Sequence, residues 1–471
     1  NIDRSLKKVF PLEKKKQTFA LDIGTRTVVG VMLEEIENKK VIKKIYALEH
    51  KDRAMLDGQI HDITAVSQVI QEVKNALEAD FGPLDKVSVA AAGRSLKTEK
   101  AQARLQISGR FLQKDDVIHL ELMAVQKAEQ TMKEKFKEVN TEYFCVGYSV
   151  LYYYLNGEKI GNLVDQQGEE ASVEIIATFL PKIVVDSLTT AVNRSGLEIG
   201  ALTLEPIAAI HVLVPPSMRR LNVALVDIGA GTSDIAITDQ NTIVNYGMVP
   251  IAGDEITEAI SDQFLLDFPL AEQAKIDLAA KDEIVIQDIL GFESTISRDE
   301  IIEAILPTIN ELAKRIADEI LQLNGLKPPK AVMLIGGGSL TPNLAEKIAD
   351  NLNLPKNRVA IRGVDAIQNI TFEDEVKFGP ELITPIGIAV SADKNPIQYR
   401  TVQVNGIPVR LFELKQLTVG ECLLQAGIKM SQLYGKPGLA KIIMVNGQSM
   451  TLSGQLGSPP ILQKKWYRLF H

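Results

Sequence analysis

The stretch LNVALVDIGAGTSDIAITDQNTIVNYG (221–247) decides the fold. It reads as a strand, a glycine-rich turn, a second strand and a third, because β-branched and aliphatic residues run up to Ile228 and Gly229 and Gly231 break them. An earlier stretch, TFALDIGTRTVVGVMLEEI (18–36), has the same form: two β-rich runs joined by a turn at Gly24-Thr25, which predicts a hairpin. The cores align as LDIGTRT and VDIGAGT, with Asp22 and Asp227 205 positions apart. An internal repeat dictates architecture, and here it predicts two related lobes.

Each turn has a chemical reading. Gly24 permits a close approach of backbone N–H groups to a phosphate, which a Cβ would obstruct, and Thr25 and Thr27 add donors. Asp22, at the strand end, is suited to hold a magnesium ion directly or through water. The second turn offers Gly229, Gly231, Thr232 and Ser233, with Asp227 as its carboxylate. Two such hairpins facing each other would clamp a polyphosphate from both sides. A third signal, AVMLIGGGSLTPNL (331–344), reads as strand, glycine turn and helix start. Gly336, Gly337 and Gly338, followed by Ser339, would let a nucleotide lie against the backbone at a helix N-terminus.

The remaining chain divides around these motifs. Ile63, Val66, Ile70, Val73 and Leu77 recur at three and four residues and predict a helix over 62–79, with a strand at 86–93 after it. Residues 115–139 form a long amphipathic pattern. Aromatic strands over 143–157, an apolar run at 172–180, and a helix and strand near 182–204 complete a small α+β insertion. Helical segments fill 254–325. Beyond ITPIGIAV (383–390) the polar DKNP breaks the chain, and 397–471 reads as a small β-rich unit of ubiquitin-like or β-grasp kind. It has a strand pair around VQVNGIPVRLF, a helix near 418–427 and the strand KIIMVNG. The expected fold is α/β: one lobe from 18–95 plus 365–393, an insert at 96–200, a second lobe at 201–364, and the small unit at 397–471.

With 471 residues the chain exceeds what one hydrophobic core serves. A hydrophobic fraction of 45% and a charged fraction of 24% exclude a disordered, collagen-like or simple coiled-coil chain. Fifty-two basic against sixty acidic residues leave a net charge of −8, the wrong sign for a phosphate-backbone binder, so nucleic acid is not an expected partner. The two cysteines, Cys145 and Cys422, match no zinc or redox spacing and suit a reducing cytoplasm. No apolar run is long enough to span a membrane, and NIDRSLKKVFPLEKKK has none suited to a signal peptide. The Arg4, Lys7, Lys8, Lys14, Lys15, Lys16 run reads as a solvated tail. At the other end, Leu462, Trp466, Leu469 and Phe470 share one helical face opposite Gln463, Lys464, Lys465 and Arg468. That pattern suits peripheral contact with an anionic lipid surface, or else completes the C-terminal unit.

Taken in this order, the motifs resemble the actin-like ATPase superfamily. LDIGTRT and VDIGAGTSD look like its two phosphate motifs, LIGGGSLTPNL like its adenosine motif, and LEPIAAI (204–210) and TPIGIAV (384–390) like the two connecting segments at its interdomain hinge. GYSVLYYYLNGEKIGNLVDQQGEEASVEIIATFLP (147–181) resembles the relocated subdomain of the bacterial cell-division family FtsA, and 245–279 resembles the FtsA segment after the second phosphate motif. The resemblance implies ATP as the nucleotide, with Mg2+ near Asp22 and Asp227, and Glu272 and Lys275 on the ribose. The alternative for the last two is an i, i+3 ion pair on a helix face. It further implies self-association into filaments and linkage of FtsZ to the membrane at the bacterial division site. Turnover would be at most a slow ATPase, with Glu205 orienting water, unless Glu205 only caps a helix ahead of Pro206.

The pilus-assembly adaptor PilM, which shares the relocated insert, is the nearest rival; a peptide pocket between insert and lobe would mark it. A small-molecule kinase would need a carboxylate base that no motif here places. Two departures from FtsA stand out: Ala252 precedes Gly253 where the family commonly has two glycines, and the 397–460 unit precedes the expected terminal helix.

Overall fold

The computed structural model describes residues 16–37, 39–51, 53–56, 58–91, 96–136, 141–373, 379–392, 399–404, 407–412, 441–445 and 448–452. The first repeat folds as β1 (Lys16–Ile23), β2 (Thr27–Ile36) and β3 (Lys39–Glu49), followed by a two-rung hairpin, β4 (Met55–Leu56) and β5 (Gln59–Ile60). Helix α1 (Ile63–Phe81) and β6 (Lys86–Ala91) come next. The Asp62 carboxylate accepts from Ala65 N at 2.9 Å and starts α1, which buries Val66, Ile70, Val73 and Leu77. The insert is β7 (Lys97–Gln106), α2 (Lys114–Lys135), β8 (Tyr143–Leu155), β9 (Glu158–Ile160) and β10 (Glu170–Pro181). Its four-stranded sheet runs β7-β10-β8-β9.

The chain then re-enters the first lobe. Helix α3 (Lys182–Arg194) leads to β11 (Glu198–Leu204), which pairs in parallel with β6. The boundary expected at 200 therefore falls nearer Pro181. The sheet decides this: six of the seven residues of β11 have a ladder partner on β6 and none on the insert. Helix α4 (Glu205–Leu213) crosses to the second repeat, β12 (Val223–Ile228), β13 (Ser233–Asp239) and β14 (Thr242–Val249). Helices α5 (Gly253–Phe264) and α6 (Phe268–Asp277) follow. Next comes a hairpin, β15 (Glu283–Gln287) and β16 (Glu293–Ser297), where only helix was expected. Helix α7 (Arg298–Leu323), β17 (Ala331–Ile335), α8 (Leu344–Asn351) and β18 (Val359–Ile361) complete the lobe. Strand β19 (Ile370–Phe372) returns to the first sheet beside β3, and α9 (Ile383–Ser391) closes the unit.

The sheets carry the duplication. The first runs β11-β6-β1-β2-β3-β19 and the second β18-β17-β12-β13-β14. In both, an antiparallel three-strand meander is extended by two parallel strands on the side of its first strand. The fold is the two-lobed actin-like one. Strand β12 is buried at every position, as a central strand covered on both faces requires. Helix α7 lays Ile301, Ile305, Ile309, Leu312, Ile316 and Ile320 along one stripe in the core that also buries β12 and β13, each worth roughly 1.5–3 kcal/mol of apolar burial.

Helices α4 and α9 pack face to face. A Cβ on Gly387 would lie 2.3 Å from Ala208 O, so the approach requires glycine there. Strand β8 of the insert touches the second lobe through Ser149 Oγ and Tyr246 OH at 2.7 Å and through Tyr152 OH donating to Gln240 Oε1 at 2.8 Å.

Residues 396–471 form a separate compact unit. Its described parts are two hairpins, β20 (Tyr399–Val404) with β21 (Ile407–Phe412), and β22 (Lys441–Val445) with β23 (Gln448–Leu452). The helix expected near 418–427, the lipid-facing pattern at 462–470 and the basic run up to Lys15 lie outside the described residues.

Candidate functional site

The two Asp-Ile-Gly turns have the same internal geometry. Gly24 N donates to Thr27 O at 2.9 Å, and Gly229 N donates to Thr232 O at 2.9 Å. Each turn is thus closed by its own glycine amide, and Asp22 and Asp227 occupy equivalent positions at the ends of β1 and β12.

Carboxylates crowd this point. Asp227 sits opposite Asp234 in the β12–β13 register, where the first repeat has Val29 opposite Asp22. Glu205 opens α4 immediately before Pro206. Burial and the Asp227 charge push the Asp22 carboxyl up to about 7. Burial, then Asp227, does the same to Asp234, also to about 7. Asp227 itself is raised by burial to about 6, and the hydrogen bond from Thr384 Oγ1 only partly offsets this. Glu205 is pushed well above the carboxylate range by burial and then by Asp22, Asp234 and Asp227. Two of the oxygens, Asp22 Oδ1 and Asp234 Oδ1, are buried and accept no hydrogen bond. Buried acceptors without donors are costly and mark a place where a cation or proton belongs.

The third motif packs onto the second turn. Gly336 has φ +80°, and a Cβ on it would lie 2.3 Å from Asp227 Oδ1 and 2.4 Å from Ile228 O. Gly338 meets Gly229 O at 2.8 Å in the same sense. Gly337 has nothing within 4 Å and faces out. The helix expected to begin at these glycines does not. Gly337–Leu340 is one 3-10 turn, and α8 starts only at Leu344, beyond Thr341 and Pro342. The Ser339 hydroxyl donates to Gly336 O at 2.7 Å and staples that turn, while Ser233 Oγ donates to Ile251 O at 2.8 Å. Both serines spend their hydroxyls on backbone. Thr232 Oγ1 donates to Asp234 Oδ2 at 3.1 Å, and Thr25 Oγ1 accepts from Gly58 N at 3.1 Å. Thr27 begins β2, and Gly231 lies in the second turn beside Thr232.

Glu272 and Lys275, on α6, do form the i, i+3 ion pair, at 2.7 Å. Lys275 is linked to the second turn through Gly253. Lys275 Nζ donates to Gly253 O at 2.9 Å, and Gly253 N donates to Gly229 O at 3.1 Å. Burial lowers the Lys275 amine to about 8. Ala252, where FtsA commonly has glycine, is fully buried, and its N–H donates to Glu255 Oε2 at 2.7 Å.

Three residues that sequence reasoning passed over belong here. Arg26, in the first turn, reaches across the cleft to Glu272 Oε1 and also bonds Glu49 at 3.1 Å. Thr384 holds Asp227, and Asp234 completes the carboxylate cluster. Thr384 and Asp234 lie inside the quoted motifs TPIGIAV and VDIGAGTSD; Arg26 joins residues 246 positions apart, which no local pattern reveals.

Residues 224–387 match the family model described as Cell division protein FtsA. The chain is similar to Cell division protein FtsA of Pseudomonas aeruginosa, at 23% identity over 356 residues, covering 73% of this chain and 83% of that one. Cell division protein FtsA of Bacillus subtilis is 24% identical over 350 residues, covering 70% and 76%. The chain is thus similar to FtsA, and its fold is actin-like. Among solved structures, the PilM-PilN type IV pilus biogenesis complex superposes with a TM-score of 0.59 at 18% identity, over 80% of this chain and 98% of that one. That likeness concerns the fold.

Proposed function

We propose that the chain binds ATP with Mg2+ between its lobes and acts as an actin-like adaptor of bacterial cell division. It assembles into filaments and links an FtsZ-type partner to the membrane. The observation that carries the nucleotide reading is the pair of identical Asp-Ile-Gly turns enclosing four carboxylates, two of whose oxygens are buried without a donor. The amides of the turns suit phosphate oxygens. Asp22 and Asp227 suit magnesium, which is commonly bound by one or two carboxylates plus phosphate oxygens.

Gly336, Gly337 and Gly338 line the base side of the cleft, and Glu272 and Lys275 its ribose side. When bound, magnesium would neutralise phosphate charge. Glu205 would orient water, which gives at most slow hydrolysis. Lobe closure biased by the terminal phosphate would set filament contacts. No described helix is long and apolar enough to cross a membrane. The proposed membrane contact is peripheral and rests on the sequence pattern of Leu462, Trp466, Leu469 and Phe470. Calorimetric titration with Mg-ATP, followed by pelleting with anionic vesicles, tests the reading. Absence of Mg-ATP binding removes its basis, and binding without pelleting removes the membrane contact.

One observation favours the PilM-type reading, an adaptor for a pilus or secretion machine. An open cavity of about 700 Å³ is lined by Ile63, Glu142, Pro181, Lys182, Ile183 and Asp186, where the insert meets the first lobe. Crosslinking from Ile183 to an extended partner peptide in cells, with no partner of FtsZ type, would favour it over cell division.

A further inference from the structure

The two phosphate turns are equivalent in sequence and shape, so what holds each from outside can be compared position by position. In the second turn, the Gly229 carbonyl receives the Gly253 backbone N–H at 3.1 Å, and the next carbonyl, Ala230 O, receives Asp254 N at 2.7 Å. Both donors belong to the N-terminus of α5. The first turn has no helix there. Its carbonyl equivalent to Gly229 O is Gly24 O, and the group facing it is the imidazole Nε2 of His50, at 3.1 Å. A carbonyl only accepts, so Nε2 carries the hydrogen. The His50 backbone N–H donates to Arg26 O at 3.0 Å, and the turn's own Gly24–Thr27 bond occupies Thr27 O. Three carbonyls of the first turn are therefore each held by a donor. That orientation is what an anion needs, because a carbonyl rotated into the cleft would present its negative end to phosphate.

His50 Nδ1 is buried and makes no hydrogen bond, so among the described residues the Gly24 carbonyl is the ring's hydrogen-bond partner. Burial also holds the imidazole below its ordinary pKa and keeps it neutral with a single N–H.

We propose that His50 is a positioning residue of the nucleotide site. Its Nε2–H supplies to the first phosphate turn the hydrogen bond that the α5 N-terminus supplies to the second, and so sets the turn's amides for phosphate. This rests on the nucleotide reading above. Neither the resemblance nor composition points to it, since the five histidines are scattered along the chain.

The test compares His50→Leu, which fills the space without a donor, with His50→Gln, whose amide reaches as far as Nε2. Calorimetry would measure Mg-ATP, Mg-ADP and adenosine. His50→Leu weakens Mg-ATP and Mg-ADP about tenfold, the loss of one hydrogen bond in a built anion site, and leaves adenosine unchanged. His50→Gln stays within about twofold of the unaltered chain for all three. Should His50→Leu fail to fold, His50→Asn, too short to reach Gly24, takes its place with the same expectations. Unchanged Mg-ATP binding without the donor overturns the proposal. So does an equal loss of ATP and adenosine, which would mark a merely structural role, or a glutamine that behaves like leucine. Failure of the unaltered chain to bind Mg-ATP sinks the nucleotide reading itself, and this proposal with it.

Discussion

Asp227→Asn separates what the site costs from what it does. Asn keeps the shape and can still accept from Thr384, but it removes one of four buried, mutually repelling carboxylates. In the ligand-free chain the Asp227 carboxyl is raised from 3.8 to about 6. A raised carboxyl contributes stability that is present below its unfolded pKa and lost as pH rises through its folded one. The penalty is therefore only about 0.5 kcal/mol near about pH 4 and complete by about pH 8, where a shift of this size amounts to about 3 kcal/mol. Asp22, Asp234 and Glu205, all raised in part by Asp227, relax in the same direction. Spread over a body of nearly 400 residues, 3 kcal/mol moves a melting midpoint by roughly 4 °C.

Ligand-free Asp227→Asn should thus melt higher than the unaltered chain at about pH 8 and nearly coincide with it near about pH 4. Saturating Mg-ATP should then reverse the order. Ligand at about a thousand times its Kd stabilises the unaltered chain by about 4.1 kcal/mol, more than the gap of about 3 kcal/mol, and the variant by far less. Scanning fluorimetry at the two pH values, with and without Mg-ATP, reads all of this. A variant that is no more stable than its parent at about pH 8, or that gains as much from Mg-ATP, refutes the reasoning.

Because Asp22 and Asp234 titrate near 7 and Asp227 near 6, binding of Mg-ATP should expel protons at about pH 6.5. Calorimetry in buffers of different ionisation enthalpy should report net release that vanishes by about pH 8.5; proton uptake would contradict the cluster. Gly336→Ala places a Cβ against Asp227 Oδ1 at a positive φ and should cost about 2 kcal/mol or more. Gly337→Ala meets nothing within 4 Å and should leave the melting point within about 1 °C; the reverse order would show the motif is misplaced. Gly387→Ala forces α9 off Ala208 O and should lower both the midpoint and Mg-ATP affinity, as circular dichroism melts and titration would show. Arg26→Ala removes the cross-cleft pair with Glu272 and should raise the small-angle-scattering radius of the empty chain; an unchanged radius would mean the pair does not hold the lobes.

The sequence exposed what depends on short-range chemistry and hid what depends on distant pairing. The two turns were legible because Asp-Ile-Gly recurs at a fixed offset, and a repeat carries its own control: one copy could be an ordinary turn, whereas two in one chain specify two equivalent sheets. The β15–β16 hairpin, in a span read as helical, carries an ambiguous pattern. Val285, Ile289 and Phe292 fall at i, i+4 and i+7, the helical stripe, yet all three are exposed on the hairpin and its loop. The insert boundary slipped because nothing in EIGALTL (198–204) says that its ladder lies on β6, more than a hundred residues upstream.

The same distinction explains the site. Asp22 and Asp227 were found as motif members, but only the fold shows that they are buried, that Asp227 raises Asp22, and that Asp234 and Glu205 converge on them from other elements. Arg26, one residue beyond Thr25, reads locally as a turn residue and acts globally as the cation facing α6. His50 belongs with these. As an isolated histidine it carried no signal at all. It acquires a role only when the two turns are laid side by side and one carbonyl, met by a helix N-terminus in the second repeat, is met by an imidazole in the first. In a duplicated fold, the positions where the copies differ in means but agree in geometry are where function-bearing residues outside the motifs should be sought.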